Sequence, residues 1–213
     1  MTKQDDNQHI VASIHRGVPL IIQKLTALIV LLMLSPLLAV VCILLKLESK
    51  GPLFFTQHRV GEHGRQFHCY KLRSMYTPDS IQWQIAANMK SDREGICQKM
   101  YNDPRITRVG RVIRKLSIDE LPQLFNVING DMVLVGPRPH LTTEYMQYAS
   151  NVLPRLNCKP GVTGLWQVSG RADTTFEEQL ALDKEYIEKQ SWWFDIKILV
   201  ATIPAVLTGR GAY

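Results

Sequence analysis

The sequence predicts an α+β protein: an N-terminal apolar membrane helix, then a small, mainly helical cytoplasmic domain with a β-hairpin and short strands. Three observations carry this expectation. Residues 25–45, LTALIVLLMLSPLLAVVCILL, form an uncharged run between Lys24 and Lys46, and about 20 helical residues cross a hydrocarbon core. From residue 49 onward, short runs of β-formers are broken by glycine-containing turns. Further along, residues 175–188 repeat apolar side chains at helical spacing, and an apolar stretch led by Trp192 and Trp193 follows.

The averages conceal this division. The chain has 213 residues, 46% hydrophobic and 21% charged, with a mean hydropathy of −0.07. That is one domain's length with an appendage. It excludes a disordered chain, and a single long apolar run excludes a polytopic membrane protein. A net charge of +6 and a pI near 9.2 point to an anionic partner: nucleic acid, phosphate esters or an anionic lipid surface. Cys42, Cys69, Cys97 and Cys158 contain no C-x-x-C pair, which suits a reducing compartment. His58, His63 and His68 recur every five residues, a period that fits no single face, so they read as surface or loop residues.

Residues 1–17 read as a tail and residues 18–48 as the membrane helix. The run starts too far from the N-terminus, and lacks a small-residue cleavage site, to read as a signal peptide. Ser35-Pro36 falls near its middle, where proline removes a backbone donor and kinks the helix. Basic residues flank it on both sides: Arg16 and Lys24 before, Lys46, Lys50 and Arg59 after. The positive-inside rule then leaves two readings open: a kinked spanning helix, or one that enters, breaks at Ser35-Pro36 and returns. Residues 49–213 read as a globular cytoplasmic domain. Turns at Gly51-Pro52 and at 61–64 frame a hairpin, and residues 79–103 are a polar helix or surface excursion. Residues 105–115 are strongly basic. Asn129-Gly130-Asp131 turns into a short strand at 132–135, which Gly136-Pro137-Arg138-Pro139 ends. A second β-like stretch lies between Lys159-Pro160-Gly161 and Ser169-Gly170-Arg171. The apolar tail at 191–207 is either a core helix or one lying in the membrane plane.

The densest chemistry is in residues 114–124, RKLSIDELPQL. Ser117 and Glu120 fit a capping box, so a helix is expected to begin there, with Glu120 capping it and Asp119 complementing its dipole. The same geometry has a functional reading. A helix start beside Arg111, Arg114 and Lys115 favours anions, so an ionised Asp119 can serve as a nucleophile while Glu120 holds Mg2+. Arg138, stiffened by a proline on each side, is a candidate phosphate ligand. Lys71, Arg73 and Arg171 extend the cationic set. Asp183 and Asp195 lie in apolar helical stretches, where a buried carboxylate needs either a structural partner or a cation.

The runs Asn102-Asp103-Pro104-Arg105-Ile106-Thr107, Ser117-Ile118-Asp119-Glu120-Leu121-Pro122-Gln123-Leu124-Phe125-Asn126-Val127, Gly130-Asp131-Met132 and Val135-Gly136-Pro137-Arg138-Pro139 occur in that order. They are followed by KPGVTGLWQVSGR at 159–171 and GRGAY at 209–213. Together they resemble the bacterial sugar transferase family, the monotopic polyprenyl-phosphate phosphoglycosyl transferases, from about residue 17 to the end. Larger members carry an N-terminal extension, and this sequence reads as a minimal form without it. The resemblance implies transfer of a sugar 1-phosphate from a UDP-sugar to undecaprenyl phosphate in two steps, with Mg2+, starting the assembly of an exopolysaccharide, capsule, O-antigen or glycoprotein glycan. Carried over by position, Asp119 is the nucleophile and Glu120 the Mg2+ ligand, with Asp195 as a second functional acid. Lys71, Arg114, Arg138 and Arg171 hold phosphate or nucleotide. The family's membrane helix is re-entrant and broken at a Ser-Pro pair, which Ser35-Pro36 matches. That places the protein among inner-membrane lipids with its catalytic domain on the cytoplasmic face. Nucleic acid is not an expected partner, because the basic residues cluster around acids and show no aromatic-interleaved stripe. A homodimer is left open. Two other classes remain: an Mg2+-dependent, membrane-bound phosphohydrolase of nucleotide-sugars or lipid phosphates, and a non-catalytic membrane-anchored binding module.

Overall fold

The computed structural model describes residues 15–89, 100, 102–146, 155–170 and 174–209. Its mixed helix-and-sheet architecture agrees with the fold class expected from the sequence. The apolar run lies within α1 (Leu20–Glu48), which is helical throughout its 29 residues with Pro36 inside it. Pro36 cannot donate to the preceding turn, and Ser35 Oγ donates to the Leu32 carbonyl there at 2.8 Å. The buried positions of α1 are Gln23, Ala27, Leu31, Val41 and Leu45, so its two ends pack inward. The intervening turns around Ser35-Pro36 have no buried residue.

The expected hairpin is β1 (Phe54–Val60) and β2 (Gln66–Leu72), paired antiparallel with His58 opposite His68. Both histidines are exposed, their rings 4.3 Å apart. The polar excursion begins with α2 (Ile81–Ala87), and residues 90–99 lie outside the described part. The basic segment forms α3 (Arg108–Lys115). A 3-10 turn (Ile118–Glu120) leads into α4 (Gln123–Asn129), and Gly130 in the left-handed region turns the chain into β3 (Val133–Val135). There follow β4 (His140–Leu141), α5 (Thr142–Tyr145), β5 (Gly161–Thr163), α6 (Leu165–Ser169), α7 (Phe176–Lys189) and α8 (Trp192–Thr208). The sheets are small: β2-β1-β4, and a parallel pair β3-β5.

Two sequence expectations are corrected. The β-like stretch after residue 159 is a strand for only three residues, and Leu165 to Ser169 are helical. Val168 packs against the main core there, which outweighs its β-propensity. The capping box at Ser117 does not form. Leu116 ends α3, and Ser117 takes a left-handed conformation (φ 53°) with no side-chain cap. It closes the preceding helix in the way of a C′ residue instead of opening the next one. By contrast, Thr175 and Glu178 form a reciprocal box at the start of α7: Glu178 N–H donates to Thr175 Oγ1 at 3.2 Å, and Thr175 N–H to Glu178 Oε2 at 2.7 Å.

The membrane-length helix is part of the core. Ala27 and Leu31 pack with Phe67, Cys69, Leu124, Val127, Met132, Leu134, Val135, Tyr186 and Ile198. Val41 and Leu45 pack with Leu72 and Ile113 in a second cluster. Polar contacts pin its start as well. Val18 N–H donates to Asp195 Oδ2 at 2.9 Å, and Leu134 N–H donates to Gln23 Oε1 at 2.6 Å.

Candidate active site

The strained turn after α3 decides where the two acids point. A non-glycine residue held left-handed costs about 1–3 kcal/mol, and Ser117 spends it on turning the chain so that Asp119 is buried and Glu120 faces β2. Lys71 near the end of β2 meets Glu120 there, Nζ to Oε1 2.6 Å. The pair is half-buried, with side-chain exposures of 20% and 39%.

Electrostatics separate the two carboxyls. Burial, then the neighbouring Glu120 carboxylate, push Asp119 up to about 6, against the pull of Lys71 and Arg114. Burial acts the same way on Glu120, but Lys71, Arg138 and Arg59 outweigh it and hold that carboxyl well below the ordinary range. Solvent reaches Glu120, so its ion pair is screened and is not a large store of stability. Adjacent carboxyls pushed apart by their surroundings mark a site where two acids have different tasks.

Arg138 lies in the loop between β3 and β4, its guanidinium 5.9 Å from the centre of the Trp166 ring on α6. Arg59 on β1 is the contributor the sequence reading missed as a site residue. It is buried, and its Nη1 donates to the Pro139 carbonyl at 2.9 Å. Its Nε and Nη2 both donate to Gln57 Oε1, at 3.0 and 2.7 Å. Burial, then Arg138, pull Arg59 down to about 10. The signal was present in the strand: Gln57 and Arg59 alternate in phase on the inward side, opposite Cys69 and Phe67. His140 beside them is buried, and burial with Arg155, Arg138 and Arg59 holds its imidazole far below the usual range, hence neutral.

Of the expected site residues, Asp119, Glu120, Lys71, Arg114 and Arg138 therefore act on one another. Arg171 lies outside the described residues. Asp195 is found in a different setting: its oxygens accept from Val18 N–H and from the Tyr186 hydroxyl, each at 2.9 Å. Asp183 has the structural partner its burial demands, ion-paired to Arg155. Arg73 turns from the acids toward the carboxyl end of α1. Among the described residues no three His, Cys, Asp or Glu side chains converge as a metal cage. Mg2+ does not need one, since it is commonly held by one or two carboxylates together with substrate phosphates.

A carboxylate pair inside a ring of cations, on a fold whose core includes a helix long and apolar enough to cross a membrane, is a site suited to anionic groups. Comparison with known sequences gives the family: the chain belongs to the bacterial sugar transferases, whose family profile matches residues 15–209. The exopolysaccharide production protein ExoY of Rhizobium meliloti is 41% identical over 192 residues, covering 89% of this chain and 85% of that protein. The undecaprenyl-phosphate galactose phosphotransferase of Salmonella typhimurium is 48% identical over 166 residues, 76% of this chain and 35% of that one. The undecaprenyl-phosphate glucose phosphotransferase of Komagataeibacter xylinus is 43% identical over 204 residues, 89% of this chain and 36% of that one. The chain thus spans about a third of the length of the last two.

Proposed function

We propose that this chain transfers a sugar 1-phosphate from a UDP-sugar to undecaprenyl phosphate and releases UMP, the step that starts assembly of an exopolysaccharide or a similar surface glycan. The carrying observation is the turn that buries Asp119, with a raised pKa, next to a Glu120 fixed by Lys71. In the first step an Asp119 carboxylate oxygen attacks the β-phosphorus, the bond to the bridging oxygen breaks, and UMP leaves with that electron pair. In the second, an oxygen of the lipid phosphate attacks the same phosphorus and the Asp119 carboxylate leaves. Arg138, Arg114 and Lys71 offset the charge brought by two anionic substrates. Arg171 is a further phosphate ligand on the motif alone. Glu120 would hold Mg2+, hard oxygen donors beside a phosphate site being the set that ion takes, and the bound ion would neutralise phosphate charge. The Asp195 oxygens are engaged elsewhere, so this reading uses Glu120 without it.

The acceptor lies in a bilayer, so the site must sit at its surface. Both ends of α1 are tethered to one fold, while no residue from 32 to 40 is buried and Leu38 packs only partly on the core, which supports a re-entrant helix turning at Ser35-Pro36. Trp192, Trp193, Val200, Ile203 and Leu207 stay exposed on α8 while Asp195 and Ile198 are buried. This supports α8 as an interfacial helix, with the protein at the cytoplasmic face of the inner membrane.

The test is release of UMP from UDP-galactose and UDP-glucose, with Mg2+, with and without undecaprenyl phosphate. Acceptor-dependent UMP release with formation of a diphosphate-linked sugar is the expected result. Equal release without acceptor would mean hydrolysis.

A further inference from the structure

The carboxyl end of α1 is joined to the catalytic turn by two separate struts. The first runs along β2. Lys71 meets Glu120, and two residues on, just past the end of the strand, the buried Arg73 reaches the last turn of α1. Arg73 Nη2 donates to the Ser49 carbonyl at 2.8 Å, Ser49 Oγ at 3.1 Å and the Leu45 carbonyl at 3.4 Å. Its Nη1 donates to the Lys50 carbonyl. One guanidinium thereby gathers a carbonyl of the last turn of α1, Leu45, and the two carbonyls that follow the helix, Ser49 and Lys50. Gly51 is required beside it, since its φ is +122° and a Cβ would run into Arg73 Nη1.

The second strut is α3. Its first N–H groups are without partners in the helix. Thr107 Oγ1 accepts from Gly110 N–H at 2.8 Å. The next two are taken by the last residue of α1: Glu48 Oε1 accepts from Arg108 N–H at 2.6 Å, and Oε2 from Val109 N–H at 3.0 Å. The far end of α3 carries Arg114, which acts on Asp119, and runs through the left-handed Ser117 into the turn. Between the struts, Val41 and Leu45 of α1 pack on Leu72 of β2 and Ile113 of α3, with Ile118 of the catalytic turn against them.

We infer that Arg73 and Glu48 are positioning residues that fix the height of the Asp119–Glu120 turn above the bilayer, so that they govern encounter with the lipid-borne acceptor and not the chemistry on the nucleotide-sugar. The inference rests on the phosphotransferase reading. If that reading is right, loosening the clamp leaves attack on a soluble donor intact and misplaces the turn only relative to an acceptor held in a membrane. A displacement of about 1 Å at a reacting centre suffices for a hundredfold loss.

The full chain is compared with Arg73→Lys and Glu48→Gln in three measurements: exchange of labelled UMP into the UDP-sugar without acceptor, transfer to undecaprenyl phosphate in phosphatidylglycerol-containing vesicles, and transfer to a short, water-soluble prenyl phosphate. Exchange and soluble transfer are expected within about twofold of wild type, with KM for the vesicle acceptor raised about tenfold or more. A parallel fall in all three, or an unchanged vesicle KM in both variants, would overturn the inference. Failure of wild type to exchange UMP or to transfer to either acceptor would remove the phosphotransferase reading itself, a result visible before any variant is made.

Discussion

Asp119 and Glu120 are neighbours in one short turn, yet burial pushes the first up to about 6 while Lys71, Arg138 and Arg59 keep the second charged. Only a group that is ionised at working pH but not stabilised by a tight ion pair retains its power as a nucleophile, and Asp119 is the member of the pair in that condition. Asp119→Asn is therefore expected to lower transfer by at least about a thousandfold, as removal of a covalent nucleophile does, with membrane binding and unfolding temperature unchanged. Near-normal transfer by that variant would reject the role. Arg59 belongs to the same scale, but its fork is spent on Gln57 and the Pro139 carbonyl, so it acts through the loop that presents Arg138. Lysine cannot reproduce that fork, and Arg59→Lys is expected to lower kcat/KM by about ten- to a hundredfold. In a double-mutant cycle the Arg59→Lys/Arg138→Lys protein should lose little more than Arg138→Lys alone. Losses that multiply would show Arg59 acting independently. The motif made Asp119, Glu120, Lys71, Arg114 and Arg138 legible in the sequence. Arg59 was seen only as a cation flanking the membrane run, because its importance comes from a long-range contact, strand β1 against the β3–β4 loop.

Elements were legible where local chemistry agreed with packing. The hairpin and α7 were of this kind, the first framed by its turns and the second set by its apolar period. Legibility failed where a tertiary contact competed. Ser117 and Glu120 have the spacing of a capping box, but Lys71 on another strand claims the Glu120 carboxylate and α3 claims Ser117 as its terminus. Asp195 on α8 shows the same competition from the other side. A charged residue in an apolar helix calls for a structural partner or a cation, and in the structure Asp195 accepts from the backbone just before α1. Gly17 belongs to this contact, since a Cβ there would run into Asp195 Oδ2. Burial raises the Asp195 pKa against the opposing pull of Val18 N–H, the Tyr186 hydroxyl and His15. Between its unfolded and folded pKa values the folded state holds the extra proton, so the free energy of unfolding falls as pH rises through that interval. An amide side chain at this position cannot ionise, so the stability of Asp195→Asn relative to wild type should improve as pH rises from about 4 toward neutrality. Thermal unfolding of both proteins across that range measures it, and a difference flat with pH would show that Asp195 does not titrate there.

At the scale of the whole molecule, the proposed function requires the charged site to work at the membrane surface that the apolar run enters. A 29-residue helix is about 43 Å long if straight, and the hydrocarbon core is about 30 Å thick, so length alone permits α1 to cross. Its contacts argue for the re-entrant arrangement. Arg16 N–H reaches Gln190 Oε1 at 3.3 Å, Val18 is held by Asp195, and Gln23 by Leu134 N–H. At the opposite end Arg73 and Glu48 hold residues 45–50 and the start of α3. A crossing helix would carry one of these tethered ends, together with the part of the fold it grips, through the bilayer. That fold includes the ionised Lys71–Glu120 pair, and each charge at a bilayer centre costs about 2.5–3.5 kcal/mol at the least. The turns around Ser35-Pro36 contain no buried residue among those described, and in the proposed re-entrant arrangement they are the part that enters. Arg16→Cys and Lys50→Cys, each in a chain whose native cysteines are alanine, should both react with an impermeant maleimide in inside-out vesicles and neither in intact spheroplasts. Reaction of the two from opposite faces would establish a spanning helix, and the tethers at one end of α1 would then have to be broken in the membrane.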